Sequence, residues 1–121
     1  MDKEQALRYN KGKKEWSLVD FKSLEPLVEV LSFGAEKYDK HNWKKGLPVT
    51  EIMESMMRHT FALNSGEDLD PESGLPHIGH IMCNAMFISH FLETKWDDRE
   101  KESISITDVV LELNEEIKNG K

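Results

Sequence analysis

His77, His80 and Asn84 stand at i, i+3 and i+7 inside an otherwise apolar run, so a helix would gather all three on one face. A polar stripe among apolar neighbours is either a set of buried hydrogen-bonded side chains or a site that holds a cation or a phosphate. A second set, Glu51, Glu54 and Arg58, has the same spacing. Carboxylates three apart can hold a hard cation through oxygen. The same residues also make a solvated surface with a Glu54–Arg58 ion pair. His59 lies off that face and reads equally as a core histidine. Between the two sets runs an acidic stretch with Glu67, Asp68, Asp70 and Glu72, which offers further carboxylate oxygens or simply a solvated turn.

Three familiar motifs fail on inspection. The alternation of Asp68, Asp70 and Glu72 suggests a calcium loop, but Pro71 interrupts it, Ser73 stands where the turn glycine belongs, and the closing position is Gly79 rather than Glu. His77-Ile78-Gly79-His80 spells the His-Ile-Gly-His signature of class I aminoacyl-tRNA synthetases, yet no strand precedes it, no lysine-rich partner loop follows, and the chain is far too short. No His-Asp dipeptide occurs, which disfavours a His-Asp phosphohydrolase.

The elements that must position these groups are helices. Leu24, Leu27, Val28, Leu31, Ala35 and Tyr38 recur at three and four, predicting a helix from about Phe21 to Tyr38 with Pro26 in its first turns. Asp39 to Val49 holds His41, Asn42, Gly46 and Pro48 and reads as a loop. Thr50 is a good N-cap for a second helix, whose buried face is Met53, Met56, Met57 and Phe61 and which stops near Asn64-Ser65-Gly66. A third helix is expected from about Leu75 to Trp96, apolar over much of its circumference. After a charged turn at Asp97–Ser103, Ile106, Val109, Val110, Leu113 and Ile117 mark an amphipathic last helix, with Ser105 and Asp108 as a loose capping box. The basic stretch 1–19, with Lys11, Lys13 and Lys14, reads as a docked arm. No segment alternates with period two, so the expected fold is all-α, a four-helix bundle in a single domain spanning 1–121.

Composition sets the partners. The 121 residues carry a net charge of −7, which argues against a nucleic acid duplex as ligand. A nucleotide chelated by metal is a different case, because the ion supplies positive charge and acidic side chains hold the ion. One cysteine, Cys83, excludes an internal disulfide and a multi-thiolate zinc site. No apolar leader and no membrane-length apolar run is visible, so a cytoplasmic location is expected. A bundle this small buries a modest share of its surface, which points to a homodimer or homotetramer.

An ordered set of motifs carries a resemblance. Arg8-Tyr9-Asn10-Lys11-Gly12-Lys13, Phe33-Gly34-Ala35-Glu36-Lys37-Tyr38, Asn42-Trp43, Arg58-His59, Gly66-Glu67, Asp70-Pro71-Glu72-Ser73-Gly74-Leu75, His77, His80 and Asn84 resemble the dATP/dGTP diphosphohydrolase N-terminal domain, within the MazG-like all-α nucleoside triphosphate pyrophosphatases. The likeness covers roughly residues 8 to 92. It implies a helical enzyme, dependent on two or three Mg2+ or Mn2+ ions, that cleaves dGTP or dATP to monophosphate and pyrophosphate. Some relatives supply purine monophosphate for phage genomes with modified adenine.

The wider superfamily pairs Glu-x-x-Glu on one helix with Glu-x-x-Asp on the next. Glu51-x-x-Glu54 matches the first half, whereas the second half stands as His77-x-x-His80. Either histidines replace carboxylates, or Glu67, Asp70 and Glu72 supply the oxygens. On this resemblance the metal set is Glu51, Glu54, Glu67, Asp70 and His77, with Glu54 expected to converge on Glu67, Asp70 and His80. Lys37, Arg58 and Lys13 would clamp phosphates. Asn42, Trp43, His80 and Asn84 would face the substrate, with Trp43 alternatively packed in the core. A nucleotide-binding bundle without catalysis, or a purely structural bundle, uses the same features differently.

Overall fold

In a computed structural model, the structure describes residues 3–9, 11–94, 97–99 and 106–120. Four α-helices follow one another: α1 (Glu25–Lys37), α2 (Val49–Asn64), α3 (His77–Glu93) and α4 (Ile106–Lys118), and no strand is present among the described residues. The expected all-α class is therefore what is found.

Proline sets two of the helix starts. Pro76 takes an extended conformation, and its ring disfavours a helical Leu75, so α3 begins at His77 rather than at Leu75. Pro48, also extended, precedes α2, so that Thr50 is the second helical residue and not the cap. The open amide of Thr50 bonds instead to Asp98 Oδ1 at 3.1 Å, and its hydroxyl to Asp98 Oδ2 at 2.8 Å. A carboxylate 48 residues away thus does the capping, and it favours the positive end of the helix. The first helix is shorter than its periodicity suggests, because Phe21–Leu24 forms a tighter 3-10 turn before Glu25. Trp96, Ser105, the side chain of Asp108 and most of the expected 97–103 turn lie outside the described residues.

Helix α3 is the centre of the packing, with α2 against one side and α1 against the other. Val49 and Ile52 of α2 bury against Phe91 of α3, and Trp43, Met53, Phe87 and Ile88 close around them. On the α1 side the contact depends on Gly79, because a Cβ there would land on the Pro26 carbonyl oxygen and meet Val30 Cγ2 at 3.0 Å. The glycine inside the His-Ile-Gly-His run is thus a packing residue. Helix α4 makes no comparable contact with the other three among the described residues, and Val110 and Ile117 on its apolar side are exposed. The N-terminal arm does not dock as expected. Its described residues are exposed throughout, Trp16 and Leu18 included.

Candidate active site

Helix α2 ends in a Schellman cap: Gly66 takes φ +98°, its amide bonds to Leu63 O, and the amide of Glu67 reaches back to Ala62 O. The turn delivers Glu67 to α3, where its Oε2 accepts a hydrogen bond from His77 Nε2 at 2.8 Å. The acidic stretch that follows closes on itself, with Asp70 half-buried while Asp68 and Glu72 remain exposed. Leu69 bridges Pro76, Asp70 N bonds to Leu75 O at 2.8 Å, and Gly74 N bonds to Asp70 O at 2.7 Å. Inside it, Asp70 Oδ2 accepts from the Ser73 hydroxyl at 2.8 Å and from the Ser73 amide at 3.2 Å.

Three imidazoles meet against this loop. His59 Nδ1 lies 2.8 Å from His77 Nδ1, and the His59 ring stacks on His80 with centroids 4.4 Å apart and planes within 5°. His80 Nε2 is 2.8 Å from Ser73 Oγ and 3.6 Å from Asp70 Oδ2. Ser73 gives its one proton to Asp70, so His80 must donate through Nε2 and keeps Nδ1 as an acceptor. His77 donates through Nε2 to the Glu67 carboxylate and turns Nδ1 toward His59 Nδ1. Burial of His59, reinforced by His80 and His77 beside it, lowers its pKa against the pull of Asp70. Burial also lowers that of His80. Burial opposes ionisation of Asp70, but the bonds from Ser73 and Glu72 and the proximity of His80 outweigh it, holding the carboxyl below its usual range. An imidazole such as His59 whose charged form is disfavoured, beside an ionised carboxylate such as Asp70, is what a cation requires of its ligands. One donor atom each from His59, Asp70 and His77 all fall within 4.8 Å of one another, so the donor set fits a single divalent ion.

Beside the cluster lies a cleft of about 690 Å³, a volume suited to a small ligand. Val30, Leu31 and Gly34 of α1 with Tyr38 just beyond its end form one wall, the 39–44 segment another, and His80, Cys83, Asn84 and Phe87 of α3 the floor. The loop wall turns at His41, whose φ of 62° is left-handed, before Asn42–Lys45 forms a 3-10 turn. Trp43 packs against the core and also borders the cleft. Its ring stacks on Phe87 at 4.4 Å and meets Phe91 edge-on. Asn84, on the cleft floor, is tied to Ser55 of α2 through Nδ2 at 3.3 Å.

Of the residues expected at a site, Asn42, Trp43, His80 and Asn84 line this one cleft, and Glu67, Asp70 and His77 gather in the adjoining cluster. Lys13 is exposed on the arm and Lys37 is exposed at the end of α1, its Nζ 5.4 Å from the Tyr38 ring centroid. Glu51 and Glu54 are exposed, and their carboxylates make no hydrogen bond or ion pair among the described residues. On a regular helix Glu54 lies about 140° around from His59, so the side of α2 that meets the cluster is not the Glu54 side. The expected convergence of Glu54 with Glu67, Asp70 and His80 is not found; His59 takes that place. Arg58, though exposed, is close enough to His59 to act on its charge. Spacing in the sequence does not single out His59 and Ser73 in the cluster, or Gly34, Lys40 and Lys44 on the cleft wall. The adjacent pair Arg58-His59 was the only signal for the first.

Fold and site together define a small helical bundle in which a ligand cleft opens beside a histidine–carboxylate cluster. The family described as dATP/dGTP diphosphohydrolase, N-terminal, matches residues 3–100, and the chain belongs to that family. It is 34% identical over 96 residues to the dATP/dGTP diphosphohydrolase of Salmonella phage PMBT28, an alignment that takes in 78% of this chain and 33% of that relative. The chain thus spans about a third of the length of the curated relative it matches. No solved structure matches it. No helix among the described residues is long and apolar enough to cross a membrane.

Proposed function

We propose that this chain binds a purine deoxynucleoside triphosphate in the cleft and hydrolyses it, with a divalent cation such as Mg2+ or Mn2+, to the monophosphate and pyrophosphate. The observation that carries the reading is the double position of His80, which borders the cleft and stacks on the cation-binding cluster. A base lying in the cleft therefore points its phosphates at the cluster. Trp43 gives the base an aromatic edge, and the amides of Asn42 and Asn84 match the donor and acceptor pattern of a purine.

His59, Asp70 and His77 would hold the cation, which supplies charge neutralisation on the phosphoryl oxygens and lowers the pKa of bound water. Arg58, Lys40 and Lys44 stand around the site to bind the remaining phosphate charge, with Lys37 and Lys13 available from further out. His80 is neutral and keeps Nδ1 open, so it can accept the proton of an attacking water. Water oxygen bonds to phosphorus, the bridging bond between the α and β phosphates breaks, and pyrophosphate leaves. Attack on either of those phosphorus atoms yields the same two products.

The wider reading includes a homodimer or homotetramer in the host cytoplasm, since the apolar side of α4 is exposed in the single chain. Light scattering on the purified chain reads the oligomeric state directly.

The function is tested by incubating the protein with each common nucleotide and Mg2+ or Mn2+ and separating the products. Monophosphate and pyrophosphate from dGTP or dATP are expected. Release of orthophosphate, or thermal stabilisation by nucleotide without any product, would overturn the hydrolytic reading.

A further inference from the structure

We infer that His59, Asp70 and His77 form a preassembled site that prefers a first-row transition ion such as Mn2+ over Mg2+, and that Glu67 is the positioning residue that makes His77 a ligand. The inference deepens the functional reading above and rests on it only for the site's purpose, not for its chemistry.

The donor set is two imidazoles and one carboxylate. Mg2+ demands oxygen ligands and gives up its waters reluctantly, whereas Mn2+, Fe2+, Co2+ and Zn2+ accept imidazole readily. The spacing suits such an ion. With metal–nitrogen bonds of about 2.0–2.1 Å, two adjacent donor nitrogens stand roughly 2.9–3.4 Å apart. His59 Nδ1 and His77 Nδ1 are already 2.8 Å apart, so a few tenths of an ångström of opening admits the ion. Without an ion one of those nitrogens must carry the shared proton. A neutral His59 can release it and take a proton on Nε2 instead. Asp70 accepts two bonds at Oδ2 from Ser73 and a long one at Oδ1 from the Glu72 amide, which leaves lone pairs for coordination.

Glu67 completes the arrangement from behind. Its carboxylate accepts the hydrogen bond of Nε2 on the buried His77, which favours the tautomer that keeps Nδ1, the nitrogen facing His59, free of a proton. A carboxylate behind a metal-bound histidine orients the ring and raises its basicity, and its loss costs 10–100-fold in metal affinity.

The test uses the full chain stripped with a chelator. Titration with Co2+ should give visible d–d absorption saturating at one ion per chain, and Mn2+ should raise the melting temperature where the same concentration of Mg2+ does not. His77→Ala and His59→Asn should each weaken Co2+ binding at least tenfold, and Glu67→Gln by 10–100-fold, with the helical circular dichroism retained. Glu29→Gln, on the outer side of α1, should bind as the parent does. Nitrogen-15 spectra of the His77 ring should show a protonated Nε2 in the parent and a mixture of tautomers in Glu67→Gln, a change that a merely structural glutamate would not produce. Absence of Co2+ binding by the parent, equal stabilisation by Mg2+, or undiminished affinity in Glu67→Gln overturns the inference. Nucleotide turnover measured in the same preparations separates the two readings. Turnover with Mg2+ but no Co2+ site sinks the metal assignment alone, and a Co2+ site without turnover sinks the hydrolytic function alone.

Discussion

The rings of His59 on α2 and His80 on α3 lie parallel, 4.4 Å apart, and this stack joins the cleft to the histidine–carboxylate cluster. Neither helix alone presents a site. The contact between them sets a base-sized space and a cation-sized space side by side, with His80 belonging to both.

Gly34 borders the cleft, and a Cβ built on it meets nothing within 4 Å. Gly34→Leu should therefore project a side chain into the ligand space without disturbing the core. The expected outcome is a KM for dGTP or dATP raised at least tenfold, with the melting temperature unchanged or slightly higher, because glycine costs a helix about 0.5–1 kcal/mol relative to alanine. A KM equal to that of the parent would place the substrate elsewhere.

Gly79 is the opposite case. Its missing side chain is filled by the Pro26 carbonyl and Val30. Gly79→Ala gains helix propensity yet forces α1 and α3 apart, and overpacking of this kind costs about 1–3 kcal/mol. Urea unfolding followed by circular dichroism should show a lower midpoint. A higher midpoint would mean that the two helices are not in contact there.

Asp98 and Thr50 act as one unit, so Asp98→Ala and Thr50→Val should each lower the melting temperature, and the double variant should lose less than the two losses combined. Strict additivity would show that the tertiary cap is not formed in solution.

Cys83 is buried, and its burial raises the thiol pKa from 9.0 to about 11. Between those values the unfolded chain has lost the proton and the folded chain has kept it. Stability from this group is thus full below pH 9.0, falls as pH rises through the window, and is spent above about 11. The whole effect is roughly 2–3 kcal/mol for a shift of about two pKa units. The stability difference between the parent and Cys83→Ala should shift by that amount across the window in urea titrations; a constant difference would contradict the burial.

Much of this was legible beforehand where one helix carries the whole signal. The stripe of His77, His80 and Asn84 is a property of a single helical period, and the structure keeps all three facing α2, the loop or the cleft. Glu51 and Glu54 show the limit of the same argument: spacing tells which residues share a face, not which way the face is turned. His59 was ambiguous because one polar residue beside an apolar stripe looks the same in a core as in a site, and its partners come from α3. The Asp98 cap and the cleft were out of reach for a related reason, since each is made by segments distant in the chain.

Whether the shared histidine belongs to a hydrolytic centre is decided by comparing dGTP turnover by the parent chain and His80→Ala, with products separated by anion exchange. The expected result is dGMP and pyrophosphate from the parent and a loss of at least about 100-fold in the variant, within the range for removing a general base, while its helical signal persists. Equal turnover by the two proteins, or orthophosphate as the product, would contradict it.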